Sequence, residues 1–314
     1  MKELQKSFGF EVRVPPPFDF DLTVAKPAGW HWSTIGEIHQ PGKLWTAFRL
    51  QNWKAVGVKL LKSSGGGDVS VYAANPLGGL EKEEIKKIVA RGLGQNEDLE
   101  SFIKKYQNDP ILKYPIAHLK GMRTASPDSI FDRAILAITL QMTTLKRSNA
   151  MMDALVNNYG DALRFDGKEV RTWPSPQTIN RIPERTLTKT ANLGYRGKFL
   201  KSLAKRILTF PYSPQDLLKM DRGEALKTLL ALPGIGEYSA GILLSEGEFP
   251  IDVWSATVFH ELFFGKTPPR PREVIEKVKK EAHKRWGGYT WQAFVYVVQD
   301  LPYLYKRFGL SRIY

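Results

Sequence analysis

The sequence predicts an α+β protein, with an N-terminal antiparallel β-sheet domain followed by a helical remainder. Three observations carry that reading. Apolar and polar residues alternate in short runs over the first 80 residues, apolar spacing turns helical after Glu81, and a Leu-Pro-Gly-x-Gly segment later joins two helical stretches.

In the β region, Phe18–Val24 alternates like a half-buried strand, and Leu44–Leu50, Ala55–Leu61 and Val69–Ala73 follow. Ser63–Asp68 reads as a turn, and Pro15–Pro17 and Pro27-Ala28-Gly29 as breakers. Trp30, Trp32, Trp45 and Trp53 are read as packing on the sheet's covered face. Glu83–Arg91, with apolar Ile85, Ile88 and Val89 and Gly92 as a stop, opens the helical part. Leu99–Tyr106 and Ile116–Leu119 are short helices. Asp128–Tyr159 is the longest periodic stretch, its stripe traced by Ile130, Ala134, Ala137, Ile138 and Leu145, with a kink expected at Gln141–Thr144. Tyr195–Thr209, Ser213–Met220, Gly223–Ala231, Glu237–Ser245, Val253–Phe263, Arg272–Trp286 and Thr290–Leu304 complete the helices.

The chain has 314 residues, 46 Lys and Arg against 32 Asp and Glu, a net charge of +14, and no cysteine. Without cysteine there is no disulfide scaffold, thiolate metal site, iron–sulfur cluster or Cys nucleophile, and the composition fits a reducing interior. A pI near 9.7 points to a polyanionic partner. No apolar run or basic-then-apolar leader favours a membrane. Residues 121–314 carry +10 of the net charge and residues 1–120 carry +4. Between 181 and 206 stand eight basic residues and one acid, which alone would equally describe a solvated helix face. Abundant Lys and Glu with no Cys hints at a thermophilic source.

The sharpest segment is Leu232-Pro233-Gly234-Ile235-Gly236-Glu237-Tyr238-Ser239. Two glycines around one apolar residue leave backbone N–H groups unshielded where the next helix begins. There the helix dipole favours an anion, and a DNA phosphate suits it. Asp252 follows in Pro250-Ile251-Asp252-Val253-Trp254-Ser255. Its ordinary alternative is a helix N-cap, which is compatible with facing a cleft.

A hairpin followed by an isolated Asp resembles the signature of the helix-hairpin-helix, Gly/Pro-rich, Asp-containing DNA glycosylase superfamily. Asn192-Leu193-Gly194-Tyr195-Arg196-Gly197-Lys198 is similar to the turn that precedes the hairpin in its alkylpurine (3-methyladenine glycosylase II-like) and 8-oxoguanine branches. Phe131–Met142, Asp109–Leu112 and Leu119–Arg123 resemble those branches too. The resemblance covers most of 90–265 and implies a β domain at 1–85, a first helical lobe at 86–125 and 265–314, and a second at 126–264. The expected activity is hydrolysis of the N-glycosidic bond of a modified base flipped from duplex DNA, an alkylated base foremost.

By resemblance Asp252 is the catalytic carboxylate, and Leu232, Pro233, Gly234, Ile235, Gly236, Tyr238 and Ser239 form the phosphate-binding hairpin. Gln141 and Met142 are the candidates for the wedge that fills the gap and meets the orphaned base. Lys146, Arg147, Arg196 and Lys198 are candidates for DNA-backbone contacts, and Tyr238 and Trp254 for the base pocket. Bifunctional members carry a lysine where this chain has Tyr238, which implies a monofunctional enzyme, although Lys146 or Lys198 from another loop would restore lyase chemistry. No cofactor is expected, save a monovalent cation on hairpin carbonyls, and no metal is expected on side chains. The missing cysteines exclude the iron–sulfur cluster of the endonuclease III-like branch. The C-terminal aromatics of Trp286–Tyr314 are read as packing, with one stacking on the base as the alternative. A monomer acting with double-stranded DNA inside a prokaryotic cell is expected. An oxidised purine or methylated cytosine as substrate, a non-catalytic DNA-binding protein and an RNA-processing enzyme are the competing readings.

Overall fold

The computed structural model describes residues 3–28, 31–127, 129–245 and 248–311. Trp30 and Asp128 lie outside the described residues, as does the side chain of Leu145.

Five strands, β1 (Gln5–Arg13), β2 (Ile38–Gln40), β3 (Lys43–Arg49), β4 (Ala55–Ser63) and β5 (Gly66–Ala73), form one antiparallel sheet in the order β1-β5-β4-β3-β2. The alternation assigns its faces. Leu44, Phe48, Val58, Leu60, Val69 and Val71 point into one core with Phe20, Trp32, Ile85 and Val89. Trp45, Ala47 and Tyr72 point the other way, onto Phe165 and Val170. Those two residues belong to a hairpin, β6 (Ala162–Phe165) and β7 (Lys168–Arg171), which the sequence reading did not include. Its signal was present: Asp166-Gly167 between two apolar-bearing tetrads, both residues with positive φ, is a two-residue hairpin turn. Asp166 then fastens the hairpin to the sheet, accepting from Trp45 Nε1 at 2.7 Å and pairing with Lys59 at 2.8 Å.

Phe18–Val24 is not a strand. Phe20–Ala25 is helical, capped by Asp19, whose carboxylate accepts from Leu22 N–H at 2.8 Å. Phe20, Thr23 and Val24 are buried at i, i+3 and i+4, so the alternation that suggested a strand also satisfied a helix once the cap was in place. Trp32 and Trp45 are buried, and Trp53 packs partly against the helical core.

The helical part has two apolar clusters. One is built from residues 130–244, chiefly helices Ile130–Leu140, Leu145–Tyr159, Arg196–Ile207, Arg222–Leu230 and Glu237–Leu244. The other joins residues 99–122 to residues 249–310, with Phe102, Phe259, Trp286 and Tyr296 at its centre. The change of core comes between Leu244 and Phe249. Helix Val253–Phe264 therefore packs with residues 99–122 and not with the 126–264 lobe to which the sequence reading assigned it. Its sequence is apolar almost all round, which hides the side it faces. The long stretch ending at Tyr159 breaks fully at Gln141–Thr144, where Thr144 caps the second helix through Arg147 N–H. The last helix breaks likewise, into Thr290–Gln299 and Leu301–Phe308.

Candidate functional site

The hairpin runs from helix Arg222–Leu230 to helix Glu237–Leu244. Leu232 and Ile235 anchor it, 3% and 6% exposed in the first helical core. Its two glycines serve different ends. Gly234 has φ +78, and a Cβ on it would stand 2.6 Å from Phe199 Cβ, so only glycine fits. Gly236 has ordinary φ, and a Cβ there would meet nothing within 4 Å. What it leaves is open space in front of a helix start that has no side-chain cap. With Gly236 exposed, the first N–H groups of that helix stand available to an anion.

Gln141 does not project as a wedge. Its Nε2 donates to Gly234 O at 2.8 Å and to Ser239 Oγ at 3.0 Å, tying the Gln141–Thr144 loop to the hairpin. Ser239, 1% exposed, thus turns its hydroxyl inward, and an anion there would meet backbone only. Met142 is the projecting residue: 57% exposed, with φ +48, unusual for a non-glycine residue.

Arg196 is likewise corrected. It is 3% exposed, and its guanidinium donates to Ile138 O at 3.2 Å and to Gln141 O, at the carbonyl end of helix Ile130–Leu140. A guanidinium buried this way fixes the loop and cannot reach a phosphate. It also carries Tyr195, whose ring lies 4.6 Å from the guanidinium carbon and is 53% exposed. Met142 and Tyr195 are therefore presented by the same guanidinium, and the sequence reading missed Tyr195 as an exposed aromatic. Lys146, Arg147 and Lys198 are exposed. Lys201, from the same basic run, caps Ile179 O, Asn180 O and Ile182 O instead.

Asp252 caps helix Val253–Phe264. Its Oδ1 accepts from Ser255 N–H at 2.8 Å and from Ser255 Oγ at 2.7 Å, and its own N–H donates to Ser255 Oγ. The cap holds one oxygen; Oδ2 takes no hydrogen bond among the described residues. Asp252 lines a pocket of about 450 Å³ together with Tyr238, Trp254, Trp291 and Phe294. The structure thus brings Asp252 and both expected pocket aromatics to one cavity, and adds two of the C-terminal aromatics. Burial, and next the Asp252 carboxylate, push the Tyr238 phenol far up, so it stays protonated.

Three pocket residues were not anticipated. Arg133 donates to Leu243 O at 3.1 Å, Ser245 Oγ at 2.7 Å and Ser126 Oγ at 3.0 Å, holding the end of helix Glu237–Leu244. Lys26 and His31 arrive from the loop between the first helix and β2. Lys26, 2% exposed, donates to Ala125 O at 3.1 Å, and Ala28 N–H donates to Gln299 Oε1 at 2.8 Å. Neither Lys146 nor Lys198 lines the pocket; Lys26 does. No local motif marks this loop, because its partners lie far along the chain. Among the described residues no group of three or more His, Cys, Asp or Glu is placed to hold a metal, and no helix is long and apolar enough to cross a membrane.

Comparison with known proteins agrees with this geometry. The chain is 24% identical over 184 residues to the DNA-3-methyladenine glycosylase of Bacillus subtilis (strain 168), a match covering 57% of this chain and 61% of that relative, less than two thirds of its length. Among solved structures, a 3-methyladenine DNA-glycosylase from Archaeoglobus fulgidus superposes with a TM-score of 0.71 at 19% identity, covering 96% of this chain and 99% of that one. A Clostridium acetobutylicum 8-oxoguanine glycosylase/lyase, in complex with dsDNA containing cytosine opposite to 8-oxoG, gives 0.66 at 17% identity, with 97% and 99% covered. These likenesses show the fold. A family model for the HhH-GPD superfamily base excision DNA repair protein matches residues 135–284, a span holding the Gln141–Thr144 loop, the hairpin and Asp252. Hairpin, carboxylate and fold converge with that match: residues 135–284 of the chain are similar to the HhH-GPD superfamily base excision DNA repair proteins.

Proposed function

We propose that this protein is a DNA glycosylase that flips an alkylated base out of duplex DNA and hydrolyses its N-glycosidic bond. The observation that carries the reading is one pocket holding the Asp252 carboxylate among Tyr238, Trp254 and Trp291, together with a hairpin whose helix start is open to a phosphate. The pocket is of a size for a single base. Hairpin N–H groups, with Lys146, Arg147 and Lys198, hold the backbone without reading sequence. Met142 enters the stack where the base has left, and Tyr195 beside it supports the distorted duplex.

At the reacting centre, the bond from the sugar C1′ to the base nitrogen breaks with its electron pair on the base, and positive charge develops on the sugar. The Asp252 carboxylate stabilises that charge. Ser255 fixes one of its oxygens, so the other is oriented toward sugar and water. Water adds to C1′ and its proton passes to Asp252; a cationic alkylated base leaves neutral and that proton goes to solvent, whereas a neutral base leaves by taking it up. The neutral Tyr238 phenol offers a donor without competing as a nucleophile. Tyr238 in place of the family's lysine supports a monofunctional enzyme. Lys26 in the pocket favours the lyase alternative, and borohydride trapping of a covalent DNA complex decides between them. A monovalent cation fits the hairpin, where the Leu232 and Gly234 carbonyls each accept one hydrogen bond and keep one lone pair; it would add positive charge beside the phosphate. We place the protein with DNA in the cytoplasm or nucleoid of a prokaryote, acting as a monomer.

Asp252→Asn tests the core of the reading. Single-turnover excision should fall by about 10³-fold while binding to duplex with an abasic analogue stays within about threefold. Excision retained in the variant removes Asp252 from the chemistry.

A further inference from the structure

We propose that His31 reads the flipped base by hydrogen bonding, and that it favours neutral alkylation products with free ring-nitrogen acceptors over permanently cationic alkylpurines. The proposal rests on the base-pocket reading above and names the substrate class within it.

His31 lines the pocket, and its ring nitrogens make no hydrogen bond among the described residues. The ring is nonetheless held. It packs at 5.4 Å and 59° against Trp173, which is 3% exposed and donates from Nε1 to Ser33 O at 2.8 Å. The backbone on its C-terminal side is pinned because Trp32, Ser33 and Thr34 N–H groups all donate to Glu37. A fixed, unpartnered polar ring facing a binding cavity is the arrangement that reads a ligand.

Burial first, and the Lys26 ammonium second, push the His31 imidazole down to about 4. At neutral pH the ring is uncharged and offers one N–H donor and one acceptor. An alkyl group on N3 or N7 of a purine removes the lone pair there and installs a positive charge. The field of Lys26 that resists a proton on His31 opposes that charge on a base placed against His31. An exocyclic adduct such as 1,N6-ethenoadenine is neutral and keeps both N3 and N7 as acceptors. Trp254 and Trp291 line the same cavity and offer their rings to either base, so the hydrogen-bonding difference between the two is read at His31.

Single-turnover excision would be measured near neutral pH on duplexes that differ only in one 1,N6-ethenoadenine or one 7-methylguanine, with wild type, His31→Phe and His31→Asn. The wild type should excise ethenoadenine faster. His31→Phe, which keeps the ring's shape, should slow that base by about 30-fold and 7-methylguanine by less than about threefold, and His31→Asn should recover most of the loss. Equal slowing of both bases, no slowing of either, or a wild-type preference for 7-methylguanine overturns the proposal and leaves the glycosylase reading standing. Absence of excision from both duplexes overturns the alkylated-base reading and this proposal with it.

Discussion

Two loops border the site, and both present consecutive backbone N–H groups. At the hairpin, Gly236 leaves the N–H groups of helix Glu237–Leu244 open. In the loop that carries His31, the corresponding groups of Trp32, Ser33 and Thr34 are filled by the chain's own Glu37, at 2.5, 3.0 and 3.4 Å. The same chemistry serves opposite ends. Left open it waits for a ligand anion, and filled from within it makes a rigid wall for the pocket. The difference teaches that a run of free N–H groups marks binding only where the chain supplies no carboxylate of its own.

The largest effect should come from closing the open loop. Gly236→Glu places a negative charge where the phosphate would sit, and affinity for undamaged duplex should drop by about 100-fold with little change in folding, measured by titration and thermal unfolding. Gly234→Ala should do the reverse. It strains a positive-φ position against Phe199, so stability falls by about 1–3 kcal/mol, read by denaturant unfolding. If both variants behaved alike, the two glycines would share a single role.

Emptying the filled loop should cost less. Glu37→Ala leaves three N–H groups without their acceptor, a loss of about 1–3 kcal/mol by denaturant unfolding, and weakens excision through the displaced His31 wall. Glu37 also gives this loop a pH dependence. Burial raises its carboxyl from 4.5 to about 7, against the pull of the four hydrogen bonds it accepts. The folded chain then holds a proton that the unfolded chain has released, so the contribution of Glu37 to stability declines as pH rises from about 4.5 to about 7 and is level above that. The thermal midpoint of Glu37→Gln should decline less than that of wild type across this window, and parallel curves would refute the assignment.

The smallest effect separates two neighbours on the basic turn. Lys198→Ala should reduce the slope of log affinity against log salt by about 1, as for one phosphate contact. Arg196→Ala should instead lower stability, because its guanidinium holds Ile138 O and Gln141 O.

Much of this molecule was legible in one dimension. The sheet followed from alternation in β3, β4 and β5, the hairpin from Leu232–Gly236, and Asp252 was legible as the cap of the helix that follows it. Those features depend on local chemistry: period, turn residues and a cap. Phe18–Val24 misled because a short alternating run also satisfies a helix once Asp19 caps it. Gln141 and Arg196 were found as members of a neighbourhood but not for the contacts they make. Projection or burial depends on whether Gly234 O or Ile138 O stands within reach, and both come from distant sequence.

By itself, then, the sequence determined most element types, the excess of positive charge, the Gly-x-Gly turn and the carboxylate that follows it. Each is written in residues a few positions apart. The tertiary structure alone decided that helix Val253–Phe264 joins the core of residues 99–122, that Trp291 and Phe294 face the pocket, and that the β domain lends Lys26 and His31 to it. Those outcomes rest on contacts between segments up to 271 positions apart, such as Ala28 N–H on Gln299. No local period or spacing encodes such a contact, because it forms only when separate apolar faces are buried against one another.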